Sequence, residues 1–332
     1  METVSSELIK RIFWHINRTE KQMALLKNQE KWLRLTSALK VLEDTACAIE
    51  YYRDTEYPDD LKGRYLFTYG LLQALFVQED AICSIYVSLF NHKEREFKSY
   101  YKGKYPEAYK VRVMRDDVVG HPTDRDEGLK SIHLAQCSMQ KESFYYIKWN
   151  GKLGTSESIS VNVTAAIDEV AKSVNDILDS SVRELDYEFI NYIDQYKDKK
   201  MKDFFNQLGY AREKVLGDTY SKVEMYQKTK EMVQQCETEI ILRFGSNRAF
   251  DINLLFDSIY DIYAIIDEGL TRIPPDLSPK IEKCLYENLF KKLEELEEFC
   301  ERTDLYFENY GEEPREPFCE SPVIIIEGKL ED

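Results

Sequence analysis

Along most of the chain the apolar positions recur at alternating three- and four-residue steps, the period of a helix with one buried face. From residue 5 to about 52, Leu8, Ile12, Ile16 and later Leu33, Leu35, Leu39, Leu42 and Ile49 mostly keep that spacing, which predicts one long helix or two consecutive ones. Tyr57-Pro58-Asp59-Asp60 is a break followed by a helix start. Residues 62–91 form the most apolar stretch with polar ends, expected as the central helix of a bundle. After a loop around Gly103 to Pro106, a shorter helix from about Glu107 should run into RDDVVGHP, where Gly120 and Pro122 end it.

The period then changes. Ser131–Ser138 and Ser143–Trp149 have strand length and composition and are separated by a polar MQKE, which predicts a small β-hairpin. The following NGKLGTSESIS reads as a loop; its Gly151-Lys152-Leu153-Gly154 lacks the spacing of a phosphate-binding loop and is read as a turn. From Asn162 to about Lys197 a long helix carries Ile167, Val170, Val174 and Ile177. Val182, Leu185, Phe189, Tyr192 and Tyr196 follow one residue out of phase, a slip placed near Ser181. Further helices are expected near 202–216, 219–243, 248–272 and 278–301. A short apolar run, Val323 to Ile326, lies in a Pro-interrupted tail. The fold class is therefore mainly α, with the hairpin inserted and a helical C-terminal extension. The expected segments are an N-terminal helix over 1–29, a helical domain over 30–190 with the hairpin near 131–149, a C-terminal helical domain over 191–303, and an acidic tail over 304–332.

At 332 residues the chain is long enough for about two domains. No stretch approaches the roughly 18–20 apolar residues that span a bilayer, and Lys10, Arg11 and Arg18 interrupt the N-terminal apolar positions, so neither a membrane span nor a signal peptide is expected. The seven cysteines are an odd number, scattered, without a C-x-x-C pair, which argues against a disulfide scaffold or a zinc site and for a cytoplasmic location. Two glycosylation sequons, at Asn17 and Asn162, are read as chance matches.

A net charge of −16 repels nucleic acid unless the basic residues are gathered together. They are unevenly placed. Residues 92–115 hold eight Lys or Arg against three Glu, with Tyr100, Tyr101, Tyr105 and Tyr109 interleaved, whereas residues 282–320 hold five basic residues against thirteen acidic ones. The acidic stretch reads as a solvated face. The tyrosines suit either stacking on unpaired bases or amphipathic packing.

Candidate chemistry gathers just after the basic stretch. At about 100° per residue Val111, Met114 and Val118 share a stripe, Arg115 falls inside it, and Arg112 and Val119 lie at its margin. A guanidinium on an apolar face needs a partner; Asp116 and Asp117 lie on other faces, and His121 follows at the helix end, where the dipole favours a protonated imidazole. Glu79 and Asp80, in FVQEDAI, either reach the Arg115 site or form a polar edge of their helix, the second being the preferred reading. His15, His92 and His133 have no ligand spacing.

RDDVVGH is an Arg, an acidic residue, four more residues and a His. In this it resembles the signature of the HEPN superfamily (higher eukaryote and prokaryote nucleotide-binding domain), over about residues 30–180. The resemblance implies a HEPN-like helical bundle, although neither the hairpin nor residues 200–332 belong to the minimal four-helix core. It further implies a metal-independent endoribonuclease, acting as a homodimer with both Arg-His motifs facing one cleft, and needing no cofactor and no metal. His121 would be the general base on the ribose 2′-hydroxyl, Arg115 the phosphate clamp and Asp116 an orienting carboxylate, with a 2′,3′-cyclic phosphate as product. RNA would follow Lys98, Lys102, Lys104 and Arg112. The biological setting implied is a prokaryotic toxin or antiviral defence effector. The alternative is a non-catalytic HEPN-like module that assembles a larger complex, with a protein partner bound through the C-terminal helices.

Overall fold

A break in hydrophobic spacing becomes a break in helix almost everywhere in the computed structural model, which describes residues 3–120, 130–217, 220–244, 250–269 and 278–309. The N-terminal region forms three helices rather than one or two: α1 (Ser6–Asn17), α2 (Thr19–Leu26) and α3 (Gln29–Asp54). The break at Asn28 stands beside the expected boundary at 29–30, and the extra interruption is the one at Arg18; the Asn28 side chain accepts a hydrogen bond from the Lys31 backbone N–H and so starts α3 as a cap. Asp60 does the same for α4 (Leu61–Phe90), accepting from Gly63, and Asn91 closes that helix in the left-handed conformation at φ 57°. Helices α3 and α4 pack along each other as a hairpin, and both Leu35-Leu39-Leu42 and Leu71-Leu72-Leu75 are buried.

Two described units divide the chain. The first comprises the described residues up to His15 and from Leu25 to Leu185; the second comprises Ile16–Ala24 and the described residues from Asp186 onward.

In the first unit α5 (Glu94–Lys104) runs through Gly103, so the expected loop is no more than the single residue Tyr105 before Pro106 opens α6 (Pro106–Arg115). Proline is suited to a first helical position because the N–H it lacks would be unpaired there. Helix α6 does not continue to Gly120 as an α-helix. It passes into a π-helical turn, Asp116–Gly120, in which the Asp116 N–H is shared between the carbonyls of Arg112 and Val113.

The expected hairpin is a three-stranded antiparallel sheet, β1 (Lys130–Leu134), β2 (Ser143–Asn150) and β3 (Thr155–Asn162), in that order. Most of the segment read as a loop is β3. The polar composition of TSESISVN hid it, yet Ile159 and Val161 alternate with serines as a strand requires. The turn before it is built by Asn150, whose side-chain oxygen accepts from the Lys152 and Leu153 N–H groups, and by Gly154 at φ +62°. Phe144 and Tyr146 on the inner face of β2 are buried, while Tyr145, Ile147 and Trp149 on the outer face are exposed. Asn162 then caps α7 (Val163–Tyr196) by accepting from Ala165. Across the expected phase slip the buried set of α7 shifts through Leu178, Ser181 and Val182, and Ile193 rather than Tyr192 faces inward.

The second unit departs more from the expected boundaries. Residues 202–216 are a 3-10 turn, Met201–Phe205, followed by the short α8 (Leu208–Leu216). Helices α9 (Lys222–Phe244) and α10 (Phe250–Gly269) follow, and α11 (Ser278–Asn309) runs past the expected end near 301–303, so that Asp304 and Phe307 are core residues rather than the start of a tail. Val323 to Ile326 lie outside the described residues. Arg243, at the end of α9, is 2% exposed. Its Nε donates to Glu239 at 2.9 Å and its Nη2 to the Lys199 carbonyl at 2.7 Å, with Asp304 3.8 Å from Nη1. Its guanidinium sits near the rings of Tyr196 and Phe307. Asp304 also accepts from the Met201 and Lys202 N–H groups, tying α11 to the 3-10 turn. Cys236 and Cys300 are buried thiols with their sulfurs 3.2 Å apart, and the six described cysteines are all free. Among the described residues no helix is long and apolar enough to cross a membrane.

A buried guanidinium with this many partners leaves several groups unpaired when it is removed. Arg243→Ala is expected to destabilise the second unit by roughly 3 kcal/mol or more, read by urea unfolding. A loss under about 1 kcal/mol would show that the clamp is redundant.

Candidate functional site

The candidate site forms where α4 meets α6 and the π turn. Gln73, Phe76, Glu79 and Asp80 stand at three- and four-residue steps on the strongly apolar α4, so they share one face, and Arg112 and Arg115 stand three apart on α6 opposite them. Both guanidiniums lie over the Phe76 ring, Arg112 at 4.3 Å and Arg115 at 4.0 Å from its centre. An aromatic face attracts a cation and keeps water off one side of it.

Arg115 answers the sequence's question about a charge on an apolar stripe. Its side chain is 17% exposed, while Val111, Met114 and Val118 around it are buried as the stripe requires. Its Nε and Nη2 donate to the Gln73 side-chain oxygen at 3.1 and 2.7 Å, and its Nη1 donates to Asp116 at 3.0 Å. Three of the five guanidinium N–H donors are thereby used, and the fork is held in one orientation. Gly120 follows close by: a Cβ at that position would stand 2.9 Å from Arg115 Nη1, so only glycine leaves the guanidinium where it is. The π turn that brings Gly120 there is a departure from regular helix of a kind found often at functional sites.

Glu79 and Asp80 are not a polar edge of α4, contrary to the preferred reading of the sequence. Asp80 accepts a hydrogen bond from Arg112 at 2.8 Å, and Glu79, 3% exposed, lies 3.8 Å from the same guanidinium. Burial pushes the Glu79 carboxyl up to about 8, against the pull of the Arg112 charge, so the acid is largely protonated at neutral pH. Burial opposes the charge on Arg112 too, but Asp80 and Glu79 outweigh it and hold that group above its ordinary value. Beside Glu79 lies a cavity of about 20 Å³ bounded by Asp80, Tyr101, Tyr109 and Arg112, enough for one water molecule.

Asp117, also on the π turn, is 3% exposed and ion-paired with Lys148 of β2. The pair joins the inner face of the sheet to the turn that carries Asp116, and β1 packs against the same turn.

The structure thus brings together Arg112, Arg115 and Asp116, and adds Gln73 and Phe76, which the sequence reading did not single out. Their signal was present: a glutamine and a phenylalanine three apart, in helical step with Glu79, on an otherwise apolar helix. His121 lies outside the described residues. Lys98, Lys102 and Lys104 are on α5, and Lys98 lines the small cavity beside Glu79 together with Asp80 and Arg112. Lys98 stands 3.8 Å from Glu94, Lys102 lies over the Tyr109 ring, and Lys104 donates to the Tyr100 hydroxyl at 2.9 Å. The tyrosines are partly core: Tyr101 is buried, stacks on Phe97 and donates to Ser173 at 2.8 Å, and Tyr105 packs on Tyr101. Of the four, Tyr100 keeps its ring substantially exposed, at 40%. His15 is buried against Trp14, His92 stacks on Tyr86, and His133 is on the exposed side of β1.

Comparison with known protein families, with curated proteins and with solved structures finds no match for this chain.

The raised Glu79 has a consequence for stability. The folded state holds the proton up to about pH 8, whereas the unfolded chain releases it near the ordinary 4.5. Between those values the native state binds more protons, so stability falls as pH rises through that window. Glu79→Gln removes the dependence. It is expected to flatten the fall in stability between pH 5 and 8 and to leave the variant about 1–3 kcal/mol more stable than wild type at pH 8, read by urea unfolding at a series of pH values. Parallel curves for the two proteins would show that Glu79 is ionised in the fold.

Proposed function

We propose that the chain is a metal-independent endoribonuclease of HEPN type, working as a homodimer, with Arg115 as phosphate clamp and His121 as general base. The observation that carries the reading is the state of Arg115. It is fixed on Gln73, Asp116 and the Phe76 ring, yet two of its N–H donors have no partner among the described residues. A planar, pre-oriented fork with two unspent donors is suited to a phosphate, whose oxygens it meets without first losing side-chain freedom.

The chemistry follows from the residue types. An imidazole at position 121 would take the proton from a ribose 2′-hydroxyl, the freed oxygen would attack the adjacent phosphorus, and the 5′-oxygen would leave, giving a 2′,3′-cyclic phosphate end. Negative charge builds on the non-bridging oxygens, where Arg115 meets it, with Arg112 one turn away. Asp116 holds the fork in place. Lys98, Lys102 and Lys104 on α5 would follow the strand. A toxin or antiviral effector of a prokaryote is the setting this activity suits.

One observation favours the second reading, a non-catalytic module that assembles a larger complex, with a protein partner on its C-terminal helices. Both guanidiniums already face a carboxylate, Arg112 on Asp80 and Arg115 on Asp116, so an incoming phosphate competes with partners in place.

Under the nuclease reading His121→Ala and Arg115→Ala each lower RNA cleavage by at least about 10²-fold while melting stays within a few degrees of wild type, and EDTA leaves the rate unchanged. A folded wild type that cuts none of a broad RNA panel, or one whose cleavage survives loss of His121, makes the module the better account. Unfolding of Arg115→Ala does the same, because it marks the arginine as a structural partner. Gly120→Ala supplies a finer measure: by crowding the guanidinium it should reduce cleavage by about tenfold or more at nearly unchanged stability, with the effect in kcat rather than KM. Light scattering at micromolar concentration should give the mass of a dimer.

A further inference from the structure

Behind α4, on the side away from Arg112 and Arg115, the first unit has a cleft of about 530 Å³. That is the size of a small-molecule site, since such pockets span roughly 300–1,000 Å³. Ile9, Ile49, Ile167 and Ala171, all buried, give it apolar walls. The N-terminal segment closes one side and is fastened there: the Ser5 N–H donates to the Asn175 side chain at 2.8 Å, and Asn175 donates back to the Thr3 carbonyl at 2.7 Å.

Two polar groups lie among the apolar walls, below a charged rim. Gln78 is 1% exposed, and its amide nitrogen has no hydrogen-bond partner. Buried amide donors are almost always paired, because leaving one unpaired forfeits its hydration without return. Arg53, its side chain 11% exposed, lies against the same space with one end 3.4 Å from Asp168. The Gln78 amide calls for an acceptor oxygen, and the guanidinium of Arg53, already paired with Asp168, brings a positive charge beside it that favours an oxygen carrying negative charge. At the rim Lys40 stands between Glu43 and Asp44, beside Glu50 and the exposed thiol of Cys47. Those rim charges are open to solvent and screened, so the contacts at the floor decide what is held.

We infer that this cleft binds a small carboxylic acid with a short aliphatic body, its carboxylate on the Gln78 amide and Arg53 and its chain against Ile9, Ile49 and Ile167. The site uses none of the residues assigned to RNA cleavage, so it stands or falls independently of that reading.

Cys47 at the rim supplies the readout. Hexanoate serves as probe, with hexanamide and hexylamine of the same length, and alkylation of each cysteine by iodoacetamide is followed by peptide mass spectrometry on the full-length protein. At about ten times its dissociation constant, hexanoate should slow alkylation of Cys47 about tenfold, while Cys137 and Cys284, exposed elsewhere, react as before. Hexanamide should protect less and hexylamine not at all. Gln78→Leu, which removes the amide and keeps the bulk, should lose the protection. Saturation-transfer NMR on hexanoate with the wild-type protein gives the same answer without a variant, should Gln78→Leu fail to fold. Absence of both protection and saturation transfer at millimolar hexanoate would mean that Gln78 is satisfied by water alone and would overturn the proposal. Equal protection by hexanamide or hexylamine would also overturn it, by removing the carboxylate from the recognition.

Discussion

A carboxyl group in the middle of a strongly apolar helix has to be neutral or matched, and much of the first unit is arranged around that constraint. Glu79 sits where α4 is packed on several sides, too deep for water to hold its charge. The protein keeps its proton on and places Arg112 within reach, and Arg112 in turn is anchored by Asp80 and the face of Phe76. Arg115 extends the same arrangement by one turn. The two arginines, one ring and the polar residues of α4 form a single polar seam through an apolar interface. Its members fix one another, and the register of α6 against α4 follows from it.

The second unit solves a similar problem with different means. Arg243 is more deeply buried than Arg112 or Arg115, and instead of a protonated acid it has a neighbouring glutamate one turn back, a backbone carbonyl and two rings. Its side chain is 1% exposed, whereas that of Arg115 is 17% exposed and keeps two donors without a partner among the described residues, and that difference in access separates a structural clamp from a candidate binding site, although both are arginines among aromatics.

Hydrophobic spacing alone located nearly every helix, because burial of one face is a local, periodic demand. It failed where polar groups do the organising. β3 is a polar edge strand whose serines face outward, so it leaves little trace in an apolar pattern. The extension of α11 to Asn309 was obscured by acidic composition: Asp304 reads as a tail residue until its carboxylate is seen bonded to the backbone at Met201 and Lys202. For the candidate site, the stripe of Val111, Met114 and Val118 and the anomaly of Arg115 within it were both legible. Asp116 was legible beside Arg115, but the partners on α4 were not settled, because Gln73 and Asp80 lie 42 and 32 residues before the arginines they bind and only packing selects them over the other polar residues of that helix. The tyrosines between 100 and 109 show the opposite error. Their basic neighbours suggested a surface, and the ring of Tyr101 is instead part of the core.

The π turn after Arg115 carries one more residue per turn than the helix it extends. A turn of this kind can take up an extra residue without loss of the flanking helix. A motif defined by counting residues from Arg115 therefore does not fix an angle around the axis. Two chains with the same count, one wound as an α-helix and one with this turn, would present their following residues about 100° out of step for each residue absorbed. Conversely, a relative one residue shorter here could keep the same spatial arrangement by winding the segment as ordinary helix. Length variation between Arg115 and the end of this turn is thus compatible with an unchanged site.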